Sequence, residues 1–186
     1  MLLTTVAVNT FEDALERAEW YAARWGIRLR VINPGFVQGA PLDKTFGTSI
    51  DVIRRILRGK DPMVPDIGFA TVDVQDVAEL HVKVIDRPET AGQRVMAVDR
   101  FMTFQEMAKA IKAAHPNRKI ATRVAPHLLV RFLGLFDPAI RSIIPSLGKV
   151  DRMDNARAMA LLRRGMRQAP KAAVSSATYL VENDLV

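Results

Sequence analysis

Cysteine is absent from the 186 residues of this sequence, so the chain can form no disulfide and has no thiol nucleophile. This absence favours a cytoplasmic location. Long hydrophobic runs are missing too, because no stretch approaches the roughly 18 apolar residues of a membrane-spanning helix. Residues 1–8 are apolar but lack a basic segment and a cleavage site. We therefore expect no signal peptide and no membrane partner.

Aromatic residues are scarce, at 6% of the chain, although the net charge is +7. A basic protein can bind nucleic acid, but single-strand sites interleave cations with aromatic stacking platforms. The two small basic clusters, 54–60 and 163–171, contain no aromatic residue. We interpret them as solvated helix faces and expect no nucleic-acid partner. The three histidines, His81, His115 and His127, lack metal-ligand spacing, so no metal is expected.

The stretch Ile27–Pro41 combines a strand pattern with an abrupt stop. Apolar and basic residues alternate from residue 27 to residue 31, which predicts a strand over 27–32. Pro34 lacks an N–H and Gly35 tolerates positive φ, so Asn33-Pro34-Gly35 is expected to end the ladder. Open α/β sheets bind ligands outside the carboxyl ends of their strands. The alternative is an ordinary exit from a strand.

A helix is predicted directly before this strand. Apolar residues fall at helical spacing on one face: Phe11, Leu15, Ala18, Ala22 and Trp25. Thr10 can cap its start, and Gly26 follows its last turn as a C′ residue. A helix of about fifteen residues that leads into a strand is typical of α/β proteins.

Further elements are predicted along the rest of the chain. Ser49 is expected to cap a helix that Gly59 ends, Asp73 one that runs to about Arg87, and Thr103-x-x-Glu106 forms a capping box. His81 falls on the apolar face of the second helix, so we interpret it as a core histidine; a ligand or proton-transfer role is the alternative. Four more elements are expected: strands over 93–98 and 119–124, a helix from Asp154 to Gly165, and a last helix from Pro170.

Several short motifs resemble one enzyme family in their order and spacing. They are Arg30–Gly39 (Arg-Val-Ile-Asn-Pro-Gly-Phe-Val-Gln-Gly), Val72–Ala78 with His81, Gly92-Gln93-Arg94, and Asp154–Arg157. From about Glu16 onward, the chain is similar to the C-terminal portion of the extended short-chain dehydrogenases/reductases, the NAD-dependent epimerase/dehydratase superfamily. The branch it most resembles is the dihydroflavonol-reductase-like one.

The resemblance implies an α/β fold: a partial Rossmann-like parallel sheet with a C-terminal substrate-side helical region. We expect one domain over 1–186, with the remnant of the sheet in 1–100 and a mainly helical part in 101–186. The family reaction is NAD(P)-dependent reduction or oxidation of a carbonyl/alcohol pair. By resemblance, Thr5 assists catalysis, Asn33, Pro34 and Gly35 lie beside the nicotinamide of NAD or NADP, and Phe36, Val37 and Thr48 lie near a small carbonyl or alcohol substrate.

Two parts of the family pattern are absent. Val8 and Glu12 stand where the resemblance places the Tyr and Lys of Tyr-x-x-x-Lys, and neither can supply the proton or lower a tyrosine pKa. No Gly-x-x-Gly-x-x-Gly turn, which receives a pyrophosphate at a helix N-terminus, occurs anywhere. We therefore expect a truncated or degenerate member, inactive and without appreciable NAD(P) binding alone. The alternatives are a small-molecule binding or protein-interaction module, and one part of a split oxidoreductase.

Association is expected at the edge of the sheet. In the family, the strand over 28–32 is interior, so here its second neighbour is either residues 1–8 or another molecule. Residues 1–8 carry no charged side chain, and an uncharged open edge invites pairing. We expect a homodimer, or a requirement for a missing N-terminal half.

Overall fold

The computed structural model describes residues 11–44 and 46–186, and the side chains of its first helix from residue 14 onward. Thr5, the Thr10 cap and the expected strand over 1–8 lie outside the described residues. The helices are α1 Phe11–Trp25, α2 Thr48–Arg58, α3 Val74–Ile85, α4 Phe104–Ala114, α5 His127–Leu133, α6 Pro138–Ile143, α7 Ala156–Leu162 and α8 Ala169–Glu182. The strands are β1 Val31–Pro34, β2 Phe36–Gln38, β3 Gly68–Asp73, β4 Arg94–Ala97 and β5 Arg100–Thr103.

The described strands form two small sheets. In the first, β1 pairs with β4 in parallel, with Val31 opposite Arg94. In the second, β3 pairs with β2 in parallel and with β5 antiparallel. The α/β class and the parallel pairing expected from the sequence are confirmed. The antiparallel strand β5 was not predicted, and the expected strand over 119–124 is reduced to an isolated bridge between Val64 and Val124.

The position of β1 corrects the sequence prediction. The strand covers Val31–Pro34 rather than 27–32, because Gly26 turns the chain at φ +61 and Ile27 N–H still donates to Ala22 at 2.9 Å. Proline can occupy the ladder because donors alternate along a strand. Val31 and Gly35 donate to Gln93 and Ala97 of the β4 segment, so the nitrogens of Ile32 and Pro34 turn away from it.

Two clusters of buried apolar side chains hold the helices on the sheets. One lies between α2, α4 and α8 and includes Ile53, Met107, Ile111 and Leu180. The other lies between β3, β4, α3 and α7 and includes Val72, Leu80, Val95 and Leu161. Since successive strand residues face opposite sides, Phe36 packs on the first cluster and Val37 on the second. The segment 36–37 is therefore fixed from both faces.

Several helix caps were predicted correctly. Gly59 ends α2 in the left-handed conformation at φ +59, Asp73 accepts the Gln75 N–H at the start of α3, and Thr103 and Glu106 form the capping box of α4. Two other predicted boundaries are wrong. The N-cap of α2 is Gly47 rather than Ser49, and α7 ends at Leu162 with Arg163 in the left-handed conformation, before Gly165.

The inward faces of α1 and α3 also differ from the prediction. Leu15 and Ala22 of α1 are buried, but Trp25 is 67% exposed. On α3 the buried residues are Asp76, Leu80 and Val84, so His81 lies on the exposed side and its Nδ1 contacts the Val77 carbonyl at 2.8 Å. The core-histidine interpretation is therefore wrong. The buried side of the helix includes Asp76, whose carboxylate pairs with Arg164 and Arg167.

Candidate functional site

The candidate site lies at the carboxyl end of β1, where the chain passes from one sheet to the other. Asn33 and Pro34 are the last residues of β1, and Phe36 begins β2, so Gly35 alone separates the two strands. The Gly35 N–H still donates to the Ala97 carbonyl at 3.1 Å. The predicted cofactor-binding residues Asn33, Pro34 and Gly35 are thus held at one sheet end, which is where open α/β sheets place ligands.

Gly35 is required there by close packing and not by its backbone conformation. Its φ is not positive, which corrects the reason given from sequence. A Cβ at this position would overlap the carbonyl oxygen of Ala70 and lie 3.0 Å from Cγ2 of Val98. The backbone of residue 35 therefore lies directly against β3, and no side chain fits between them.

Asn33 presents an unpaired polar atom at this point. Its side-chain oxygen Oδ1 is buried and accepts no hydrogen bond within the described residues. A buried acceptor without a donor costs on the order of 1–3 kcal/mol. An atom of this kind is suited to accept a hydrogen bond from a ligand amide or from a group that the described residues do not include.

The predicted substrate residues do not all face one cavity. Phe36 stacks on Phe69, with ring centroids 4.3 Å apart and planes inclined by 14°. Val37 points the other way and lines a cleft of about 380 Å³. Gly47 and Ser49, on either side of the exposed Thr48, line that same cleft. The structure thus brings Val37 near the start of α2 and separates Phe36 from both.

A buried polar network that the sequence reasoning missed fixes the loop after β2. Ser176 Oγ of α8 accepts the Gly39 N–H at 2.8 Å and contacts Gln38 Oε1 at 3.0 Å. Gln38, 1% exposed, donates through Nε2 to the Ser49 carbonyl at 3.0 Å. The network therefore positions the wall of the cleft. A glutamine that ends an apolar run was a possible signal for Gln38, but nothing in the sequence pattern singles out Ser176.

An ion cluster fixes the connection between α7 and α8. Asp76, fully buried, accepts the Arg167 backbone N–H at 2.6 Å and pairs with the guanidinium groups of Arg164 and Arg167. Glu79 joins it, and the hydrogen bond from Arg164 lowers the pKa of Glu79. Every partner in this cluster is a side chain or backbone group of the chain itself, so its role is to attach α3 to the residues that precede α8.

A second cavity, of about 350 Å³, lies between α2, the loop 59–67 and the α5–α6 pair. Its walls are mainly aliphatic, and Phe69 lines it with the same ring that stacks on Phe36. Arg55 and Asp61 form a two-point ion pair among its lining residues, and this pair lowers the pKa of Asp61. No sequence pattern indicates this cavity, because residues from segments far apart in the chain enclose it.

Residues 11–44 and 46–186 contain neither a cluster of metal ligands nor a candidate membrane-spanning helix. No group of three or more His, Cys, Asp and Glu side chains in that part of the chain could hold a metal ion. None of the described helices is long and apolar enough to cross a membrane.

The chain is similar in sequence to several known reductases. No protein-family model matches the chain. Cinnamoyl-CoA reductase 1 of Oryza sativa subsp. japonica is 33% identical over 96 residues, which are 52% of this chain and 28% of that protein. Ketoreductase azaE of Aspergillus niger is 38% identical over 86 residues, 45% of this chain and 25% of that protein.

Solved structures show the same fold. The yeast methylglyoxal/isovaleraldehyde reductase Gre2, complexed with NADPH, matches with a TM-score of 0.69 at 20% identity, over 94% of this chain and 49% of that one. Vestitone reductase from alfalfa matches with a TM-score of 0.69 at 14% identity, over 93% of this chain and 50% of that one. The chain thus spans about half of these structures and about a quarter of the curated relatives.

These findings confirm the resemblance. In sequence the chain is similar to cinnamoyl-CoA reductases and to a ketoreductase, and its fold is the Rossmann-like fold of the solved reductases. The matches cover only part of each relative. The activities that the relatives' names state are therefore not assigned to this chain by similarity.

Proposed function

We propose that this chain is the substrate-side part of an NAD(P)-dependent reductase of a carbonyl/alcohol pair in the cytoplasm, inactive alone and completed by a part that binds the cofactor. The supporting observation is that one side of β1 is covered by none of the described strands. Among the described strands β1 pairs with β4 alone, and the N–H of Ile32 points away from that pairing. A strand with a free side can accept a further strand from another chain.

Under this proposal the junction residues keep the roles that the resemblance gives them. Asn33, Pro34 and Gly35 lie beside the nicotinamide, with the unpaired Asn33 Oδ1 available to a carboxamide donor. Phe36, Val37 and Thr48 lie toward the substrate, and Thr5 assists catalysis. Residues 1–100 contribute the sheet remnant and 101–186 the helical part of one domain.

The residues present fit only one end of such a cofactor. Asn33 offers an acceptor at the nicotinamide end, but the sequence has no glycine-rich turn whose backbone N–H groups could hold a pyrophosphate. Val8 and Glu12 likewise stand in place of the proton donor and its lysine. This chain alone therefore lacks the groups that hydride transfer requires, and the completing part supplies them.

A second candidate is a small-molecule binding module that has kept a pocket without chemistry. The aliphatic cavity of about 350 Å³ favours this function, since it falls in the size range of small-molecule sites and consists entirely of residues of this chain.

Calorimetric titration separates the two candidates. The chain alone is expected to bind neither NAD(H) nor NADP(H), and a micromolar dissociation constant for either would contradict the proposal. Addition of an N-terminal fragment that carries the glycine-rich turn and the Tyr-x-x-x-Lys pair is expected to produce cofactor binding. Failure of every such fragment to associate with the chain would favour the binding module.

A further inference from the structure

The cavity between α2 and the α5–α6 pair combines an aliphatic wall with a neutralised cation. Its apolar lining includes Val52 and Ile56 from α2, Leu129 and Val130 from α5, and Ile140 and Ile143 from α6. Such a surface gains free energy when it releases water to an apolar ligand. The volume of about 350 Å³ is at the lower end of the range for small-molecule sites.

Three charged side chains line this cavity among the described residues: Arg55, Asp61 and Asp137. Arg55 donates through Nε to Asp61 Oδ2 at 2.6 Å and through its terminal nitrogen to Oδ1 at 3.0 Å. Both donors on one edge of the guanidinium are thus directed at one carboxylate, the arrangement by which arginine otherwise holds a carboxylate or phosphate ligand. Asp137 caps α6 by accepting the Ala139 N–H at 2.8 Å and adds a second negative charge.

We propose that this cavity binds an uncharged, mainly aliphatic small molecule, and that Asp61 excludes anionic ligands by occupying Arg55. An anionic head group would meet one cation and two carboxylates, and would lose its hydration without gaining the two-point Nε–Nη2 edge of Arg55, which Asp61 already holds. A ketone, aldehyde or alcohol carries no such cost. Asp61 is thus a specificity-determining residue of the site.

This inference deepens the second candidate function, the small-molecule binding module. It does not depend on the reductase proposal, because every residue that lines the cavity belongs to this chain. One consequence does rest on the proposed function. Phe69 lines the cavity and stacks on Phe36, so the cavity would take the hydrocarbon part of the carbonyl substrate. The ligand site and the reductase proposal are tested by different measurements. Ligand binding is measured on the chain alone, and cofactor binding is measured on the completed assembly, so one can fail while the other holds.

The first arm of the test compares two ligands of equal chain length, 2-octanone and octanoate, by isothermal titration calorimetry at neutral pH. The chain is expected to bind 2-octanone and to bind octanoate about tenfold more weakly or worse. Equal affinities, tighter binding of octanoate, or no binding of 2-octanone would overturn the proposal.

The second arm locates the ligand with two leucines adjacent on α5. Leu129→Trp introduces an indole into the cavity and is expected to abolish 2-octanone binding. Leu128→Trp is the matched control, because Leu128 is 79% exposed and does not line the cavity, and it is expected to leave the affinity unchanged. Equal effects of the two substitutions would refute this location.

The third arm tests the role of Asp61. Asp61→Asn frees Arg55, so octanoate affinity is expected to rise about tenfold or more while 2-octanone affinity changes little. Arg55→Gln is the counterpart, and it also tests the assignment if Asp61→Asn does not fold. It removes the cation and leaves the carboxylates of Asp61 and Asp137 without a counter-charge. Octanoate is then expected to stay excluded, and the cation octylammonium is expected to bind more tightly than to the unsubstituted chain. An unchanged ratio of ketone to acid affinity in Asp61→Asn, or no gain for octylammonium in Arg55→Gln, would overturn the assignment.

Discussion

Replacement of Gly35 by alanine tests whether the junction between the two sheets depends on close packing. The new Cβ would overlap the Ala70 carbonyl oxygen, with the Ala70 carbon at 2.9 Å and Val98 Cγ2 at 3.0 Å. The obstacle is backbone, so no rotamer change can relieve it. The strands cannot separate easily either, since Phe36 is paired opposite Thr71.

The magnitude follows from two opposing effects. Overpacking in a core lowers the free energy of unfolding by about 1–3 kcal/mol. Because the obstacle to the new Cβ is backbone, we expect Gly35→Ala to lower it by about 3 kcal/mol or more. Alanine also reduces the conformational entropy of the unfolded chain, which stabilises the folded state by about 0.4–1 kcal/mol. The net loss is about 2 kcal/mol or more, and for a chain of this length it lowers Tm by about 4–8 °C.

Thermal unfolding followed by circular dichroism measures this loss, with Gly165→Ala as the matched control. Gly165 is exposed, has no positive φ, and a Cβ there meets nothing within 4 Å. Its substitution is expected to change stability by less than about 0.5 kcal/mol. If Gly35→Ala melted at the temperature of the control, the argument from the contact with Ala70 would be refuted.

Three further predictions concern a cap, a titrating pair and the open strand. Asp73→Ala removes the acceptor of the Gln75 N–H and should cost about 1 kcal/mol in urea unfolding, whereas unchanged stability would refute the cap. The hydrogen bond from Arg55 lowers the pKa of Asp61, so the pair stabilises the protein above the unfolded carboxyl pKa of about 4, and this stability is lost as pH falls through the lowered pKa. Asp61→Asn should therefore flatten the acid side of a plot of Tm against pH. An unaltered plot would contradict this. Sedimentation should show concentration-dependent association that Ile32→Pro weakens more than Ile32→Ala, because only proline removes the outward N–H; a single monomer over a hundredfold concentration range would refute association through this edge.

Local signals in the sequence predicted local structure well. Helical spacing and Gly26 predicted α1, and the spacing of Thr103 and Glu106 predicted the start of α4, because both depend on residues within one or two turns. The motif resemblance predicted the family and the α/β class. Residues 33–35 lie together at a strand end because they are consecutive, and their role in cofactor binding stays a prediction.

Features that depend on distant partners were not predictable in this way. The face of α3 was misjudged because Asp76 is buried by arginines almost ninety positions away in the chain, at separations of 88 and 91 residues. Asn33 and Pro34 were expected to lie beyond the ladder, and only the direction of the pairing with β4 explains why both lie within it. The aliphatic cavity is likewise invisible in the sequence, since its walls come together only after α2, α5 and α6 have packed.

The contact between Gly39 and Ser176 has a consequence for the order of folding. These residues are 137 positions apart, so the ends of a very long loop must meet before the contact can form. A ribosome releases the segment around Gly39 long before α8 has been synthesised. During translation the wall of the cleft therefore remains without its Ser176 anchor, and the chain completes this region only when its final helix docks.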